Sequence, residues 1–134
     1  MEFTRTFDFL DNLTVICPDK GDILAAKEKK AWITYSVKDY SRNASHFSYG
    51  LMALGLKKGD RIVSISNNRP EWNFLDMGMA QAGIVHVPIY PTISIEDYEY
   101  ILNHVEPTLV FVSDRQLHDK ISPIARKIAS VKDV

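Results

Sequence analysis

Three short segments hold the polar side chains best placed for chemistry: Ser66-Asn67-Asn68-Arg69, Ile89-Tyr90-Pro91-Thr92 and Ser113-Asp114-Arg115. Each ends a short apolar run or follows one directly. In open parallel sheets, ligands bind beyond the carboxyl ends of the strands. All three segments offer hydrogen-bonding groups, and none has the composition of a phosphate loop. A dinucleotide fingerprint needs G-x-G-x-x-G after the strand, so that backbone can approach a pyrophosphate. The corresponding place here reads SNNRPE, without glycine. A G-x-x-x-x-G-K-[ST] loop is also absent. Arg69 could meet an anion at the head of the following helix. The ordinary state of such a residue is an exposed arginine bonding its own loop. Asn67 and Asn68 read as loop and cap residues, either of them able to cap that helix.

Other chemistries find less support. His46, His86, His104 and His118 have no ligand spacing, and the one cysteine, Cys17, is adjacent to none of them. A zinc site needs its ligands clustered at motif spacing. His86 lies among valines and reads as a satisfied, half-buried strand residue. No G-x-S-x-G elbow occurs, and no Ser or Cys sits beside a His at motif spacing, so a hydrolase triad has no basis. Trp32, Trp72 and the Tyr98–Tyr100 pair read as packing rather than as a stacking platform for nucleic acid. Met52, Met77 and Met79 read as core filler.

Composition narrows the classes further. The chain has 134 residues, 46% hydrophobic and 25% charged, with a formal net charge of −1. That is a globular composition with room for one core. It carries no global basic field for nucleic acid or an acidic membrane. A single cysteine excludes an internal disulfide and a CxxC site. The start, MEFTRTFDFLDNL, lacks the apolar core of a signal peptide. No apolar run approaches the ~20 residues of a membrane span. A cytoplasmic location is the expectation, with peripheral membrane attachment compatible.

The elements that must hold these loops follow from periodicity. Phe7, Leu10, Leu13 and Cys17 mark an amphipathic helix over Thr6–Ile16, stopped by Pro18. Ile23–Ala26 and Ala31–Thr34 flank a charged tip, Lys27–Lys30, as a β-hairpin. Ser36 with Asp39 opens a long helix along Val37, Tyr40, Ala44, Phe47, Leu51 and Leu54. Gly55 is its left-handed terminator, with Leu56 folding back. Arg61–Ser66 is a strand, and Pro70 starts a helix apolar nearly all round, which implies cover on more than one side. Gly78 allows close approach of another backbone, and Gly83 ends that helix. Ile84–Ile89 is the next strand. Ser94 and Asp97 open a helix along Ile95, Tyr98, Ile101, Leu102 and Val105. Leu109–Val112 reads as a strand covered on both faces. Ser113-Asp114 caps a final helix carrying Leu117, Ile121, Ile124, Ile128 and Ala129, with Pro123 near its start or at a kink. Residues 131–134 look like the entry to another strand. The fold class is therefore α/β, a mostly parallel sheet with helices on both faces in the order βαβαβα, plus an N-terminal helix and hairpin. Right-handed crossovers put Val63, Val87 and Val110 in neighbouring strands.

Several strings together resemble a known family. W-I-T-Y-S, L-G-L-K-K-G-D-R-I, S-N-N-R-P-E-W, A-G-I-V-H-V-P-I-Y-P-T, Y-I-L-N-H and L-V-F-V-S-D are similar, in order and spacing, to the N-terminal segment of AMP-forming acyl-CoA synthetases. These belong to the adenylate-forming superfamily with luciferases and peptide-synthetase adenylation domains. The likeness runs from about Asp22 to Asp114, and P-I-Y-P-T resembles the long-chain fatty acid branch.

The resemblance implies a two-step reaction. A carboxylate attacks the α-phosphate of ATP, giving an acyl-adenylate and pyrophosphate. Coenzyme A thiol then displaces AMP. It implies ATP, Mg²⁺ and coenzyme A as cofactors and fatty acid as substrate, with no nucleic acid and no transmembrane segment. The family's phosphate loop, acidic Mg²⁺ ligand, ribose-binding aspartate and C-terminal lysine match no position here. No catalytic, cofactor-binding or metal residue is carried over. Residues 1–134 are thus expected to be part of a larger N-terminal domain, inactive alone, and prone to self-association through an uncovered edge or face. Two alternatives stand beside this: a synthetase for another carboxylate, and a self-contained α/β binding module.

Overall fold

The computed structural model describes residues 3–134. Its elements run α1 (Asp8–Ile16), β1 (Leu24–Glu28), β2 (Ala31–Tyr35), α2 (Val37–Ala53), β3 (Arg61–Ile65), α3 (Pro70–Ala82), β4 (Val85–Ile89), α4 (Ile95–Val105), β5 (Leu109–Val112) and α5 (Arg115–Ala125). The class is mixed α/β, as the periodicity predicts. The chain divides into two units. One holds the residues up to Lys57 with Arg69–Gly83, and the other holds Lys58–Asn68 with Ile84–Val134.

In the first unit, α1 buries Leu10 on its predicted stripe, but it also buries Asp8, which the stripe leaves outside. The Asp8 carboxylate accepts from the Thr4 and Arg5 amides and from the Arg5 guanidinium, so its burial is compensated. The hairpin tip is narrower than expected. Lys27 and Glu28 continue β1, and the turn is Lys29-Lys30 alone, with φ of 45° and 76°. Positive φ at both central residues is the geometry of a tight primed hairpin turn.

The α2 start is a full capping box. Ser36 Oγ accepts from the Asp39 amide at 3.0 Å, and the Asp39 carboxylate accepts from the Ser36 amide at 3.1 Å. Its end is a Schellman motif: Leu56 N–H donates to Leu51 O, and Gly55, at φ 80°, donates to Met52 O. Leu54 and Met52, expected in the core, are exposed, while Leu56 is buried. The chain reverses at Gly55, so the residue after the reversal packs and the residue before it does not. Pro70 takes the first position of α3, and every residue of this helix is buried or half-buried. The close approach expected at Gly78 is to α2. A Cβ there would lie 2.6 Å from Ala44 O and 3.0 Å from the Phe47 side chain. Phe74 meets the Tyr35 ring edge-on at 5.2 Å.

The second unit is a parallel sheet in the order β4-β3-β5. Val63 pairs with both Val87 and Val110, as right-handed crossovers predict. The strand buried on both faces is β3, with Ile62, Val63, Ser64 and Ile65 at 0–2% exposure. The expectation for Leu109–Val112 is corrected: only Val110 is fully buried there, because β3, not β5, is central. Beyond β5, a parallel bridge joins Leu109 and Asp133, so residues near 133 do begin to pair as a strand.

Tyr98 and Leu102 of α4 and Leu117, Ile121 and Ile124 of α5 pack with Val63, Ile65 and Val110. Ile95, expected on that α4 face, is 41% exposed, since it lies in the first turn. Pro123 falls in the last turn of α5, not near its start, and the helix ends two residues later. Tighter i→i−3 bonds follow, from Lys127 and Ile128. They turn Ile128 into the core and leave Ala129 exposed. Trp32 and Tyr100 are exposed rather than packed. Residues 31–34 of β2 are all exposed, Trp32 among them, and Tyr100 lies two helical positions from the buried Tyr98.

Candidate functional site

Three parallel strands end in register, Ile65 beside Ile89 and beside Val112. Their carboxyl ends therefore open onto one edge, and the loops there begin at Ser66, Tyr90 and Ser113. Two of these loops are fastened to each other. The Asn67 amide donates to Ser113 Oγ at 3.1 Å, and Asn67 Nδ2 donates to Asp114 Oδ2 at 3.0 Å. Ser113 Oγ–H donates to the same carboxylate oxygen at 2.9 Å. The other oxygen, Oδ1, accepts from the Leu117 amide at 2.9 Å and caps α5. The third loop is tied to α4 instead, by Tyr98 Oη–H donating to Tyr90 O at 3.0 Å. Lys120 Nζ donates to Ile93 O at 3.1 Å and lies over the Tyr98 ring.

Two carboxylates near this edge are held low: Asp114, and Asp119, which pairs with Arg115 at 2.9 Å. The Leu117 amide, then Ser113, then Asn67 hold the Asp114 carboxyl below the usual carboxylate range. It is ionised at neutral pH and points into the loop cluster. The Asn67 and Leu117 amides are spent on Ser113 and Asp114, and SNNRPE has no glycine. Among the described residues, no three His, Cys, Asp or Glu side chains converge to hold a cation.

The predicted residues separate accordingly. Asn67 joins Ser113 and Asp114. Neither Asn67 nor Asn68 caps α3. The residue before a proline is held extended, so with Pro70 at the first helical position the cap is Arg69, at φ −160°. Its guanidinium forks onto Glu71, Nε to Oε2 at 2.8 Å and Nη2 to Oε1 at 2.9 Å. That is the self-bonded loop arginine expected from its position.

Sequence spacing missed two Ser–His contacts. Ser64 Oγ lies 2.7 Å from His86 Nε2, across neighbouring strands. His118 Nε2 lies 3.1 Å from Ser122 Oγ, while its Nδ1 faces Asp119 Oδ1 at 3.2 Å. Ser64 is 2% exposed and Ser122 6%. Neither hydroxyl is open to a substrate, so both pairs satisfy buried hydroxyls. His86 is thus the half-buried, satisfied strand residue its neighbours imply. The second pair's i, i+4 spacing on a helix was the only available signal.

Comparison with known proteins bears on the whole arrangement. The family model for "AMP-binding enzyme" matches residues 16–134. Fatty acyl-CoA synthetase A of Dictyostelium discoideum is 35% identical over 126 residues, covering 88% of this chain and 19% of that protein. Crotonobetaine/carnitine–CoA ligase of Proteus mirabilis is 37% identical over 81 residues, covering 55% of this chain and 16% of that protein. The chain thus spans less than a fifth of the length of these relatives. In fold, it matches the N-terminal domain of FACL13 from Mycobacterium tuberculosis at TM-score 0.84 and 22% identity, covering 98% of this chain and 33% of that one.

Proposed function

Since this chain belongs to the AMP-binding enzyme family, we propose that it is part of a long-chain fatty acid–CoA ligase. The parent enzyme converts ATP, fatty acid and coenzyme A to acyl-CoA, AMP and pyrophosphate through an acyl-adenylate. The observation that carries the fatty acid reading is the 35% identity to a fatty acyl-CoA synthetase over most of this chain. The chemical logic is that a carboxylate is a poor electrophile, and adenylation gives it a leaving group that the thiol can displace. Mg²⁺ in the parent screens the phosphate charge.

Within that enzyme, residues 1–134 form part of the N-terminal domain; the family-like strings lie in 22–114, and the family match runs over 16–134. This segment contributes scaffold. The catalytic, nucleotide-binding and metal-binding groups lie elsewhere in the parent, a reading supported by the charge and donor set at the strand ends. Fatty acid, ATP and coenzyme A are partners of the whole enzyme in the cytoplasm. The test is ATP–pyrophosphate exchange with long-chain fatty acid. The 134-residue chain is expected to show none, and a longer product of the same gene is expected to show it. Exchange by the pure 134-residue chain would overturn the scaffold reading. A second reading, a ligase for a different carboxylate, is favoured by the 37% identity to a crotonobetaine/carnitine ligase. Competing fatty acids and short polar acids in the longer protein's exchange assay separates the two.

A further inference from the structure

We propose that the outward face of the β1–β2 hairpin, Trp32 flanked by Lys27 and the Lys29-Lys30 turn, docks on an anionic lipid surface. In register, Lys27 stands opposite Trp32 and Glu28 opposite Ala31. Alternation therefore puts Lys27 and Trp32 on one face and Glu28 on the other. The face with Glu28 is the more covered one: Leu24, Ala26 and Tyr35 on it are half-buried, though Ile33 is 38% exposed. Tyr35 meets Phe74 of α3, and Glu28 is near enough for its charge to act on Arg69, after Glu71. The opposite face is open, with Trp32 at 70% exposure.

The chemistry of that open face is specific. An indole is a large apolar body with one N–H donor, a shape suited to the boundary between headgroups and acyl chains. Beside it stand three lysines, and among the described residues none of them makes an ion pair. The one acidic residue of the tip is turned away. The chain as a whole has a net charge of −1, so this positive cluster is local. The lysines also occupy positions that resist them. Positive φ at both residues favours Asn-Gly, and residues held in such sparsely populated backbone regions cluster at functional sites. A lysine near an anionic membrane strengthens binding about fivefold, and the free energy falls off with salt. The proposal stands apart from the ligase reading, because vesicle binding requires no turnover.

The test uses vesicles of phosphatidylcholine with phosphatidylserine, against phosphatidylcholine alone, at low and high salt. The wild-type chain is expected to sediment with the anionic vesicles only, and less at high salt. The variant K29N/K30G removes two charges while suiting the turn better. It should bind about 25-fold more weakly, two lysines at about fivefold each, with no loss of thermal stability. W32F should lose the fluorescence blue shift on binding. Equal binding to neutral vesicles, or undiminished binding by K29N/K30G, would overturn the proposal. So would shielding of Trp32 from acrylamide without lipid, whether by a second copy, seen as concentration-dependent sedimentation that W32F abolishes, or within the longer parent protein.

Discussion

At the scale of residues, acidic side chains fasten segments to one another, and pH reads this out. Asp114 is held below the usual carboxylate range by the Leu117 amide, Ser113 and Asn67. Asp8 is held low first by Arg5 and then by the Thr4 amide, and Asp39 first by Ser36. A carboxyl whose folded pKa is depressed stabilises the fold above its unfolded value, and that contribution is lost as pH falls through the folded value. Thermal midpoints should therefore drop on acidification below about pH 4, where free aspartate titrates. Asp114→Asn keeps a capping oxygen but loses the charge. It should unfold at a lower temperature than wild type at pH 7, and the gap should close toward acid. A constant gap at all pH would contradict the charge argument. Tyr98→Phe removes the phenol that reaches Tyr90 O from a fully buried ring. A loss of about 1–2 kcal/mol in denaturant unfolding is expected, as for other buried hydrogen bonds. The caps at Asp114 and Ser94 were legible because a cap is a local pattern. The Asn67–Asp114 bond spans 47 positions and the Ser64–His86 contact 22. Such pairs depend on which strands become neighbours, and no local spacing encodes that.

At the scale of elements, α2 and α3 show how much a single missing side chain decides. Gly78 lets the α3 backbone come against Ala44 O. Gly78→Ala would place its new carbon inside van der Waals contact with a main-chain oxygen that cannot rotate away. The helices must separate, at a cost of about 2–3 kcal/mol or more. Gly50 lies within α2, is exposed, and has nothing within 4 Å of its virtual Cβ. Gly50→Ala should instead stabilise by about 0.5–1 kcal/mol, by lowering the entropy of the unfolded chain. Urea titrations of both variants check the opposite signs. Both helices were legible, α2 from its capping box and Gly55, and α3 from Pro70 and Gly83. The same proline hid the α3 cap, because it passes that role to Arg69 and leaves Asn67 free for another loop. The hairpin turn was hidden for a different reason. Lys-Lys carries no turn signature, and only the strand register forces two positive φ values upon it.

At the scale of the molecule, the parallel sheet was legible as a class but not in its order. Three β-runs separated by helices dictate parallel pairing, and sequential strands tend to be neighbours. Here β3 lies between β4 and β5, which leaves two edges of different character. On β4, the Val85 amide bonds inward to Asp60 O. Alternation then turns the amides of residues 86 and 88 outward, and residue 88 is proline, which has no N–H to give. That edge therefore lacks a donor at residue 88, a recognised guard against edge pairing. On β5, the Val110 amide turns outward to Asp133 O, and Lys132 N–H donates to Thr108 O. Val112 is the next outward position, and the bridge at Leu109 does not extend to it. If the isolated chain self-associates through its sheet, it should therefore do so along β5. Sedimentation over a range of concentrations would detect the association, and hydrogen exchange would locate it. The Val112 amide should gain protection with concentration while the His86 amide does not. Protection gained at His86 alone would place the contact on β4 and refute the guarding role assigned to Pro88.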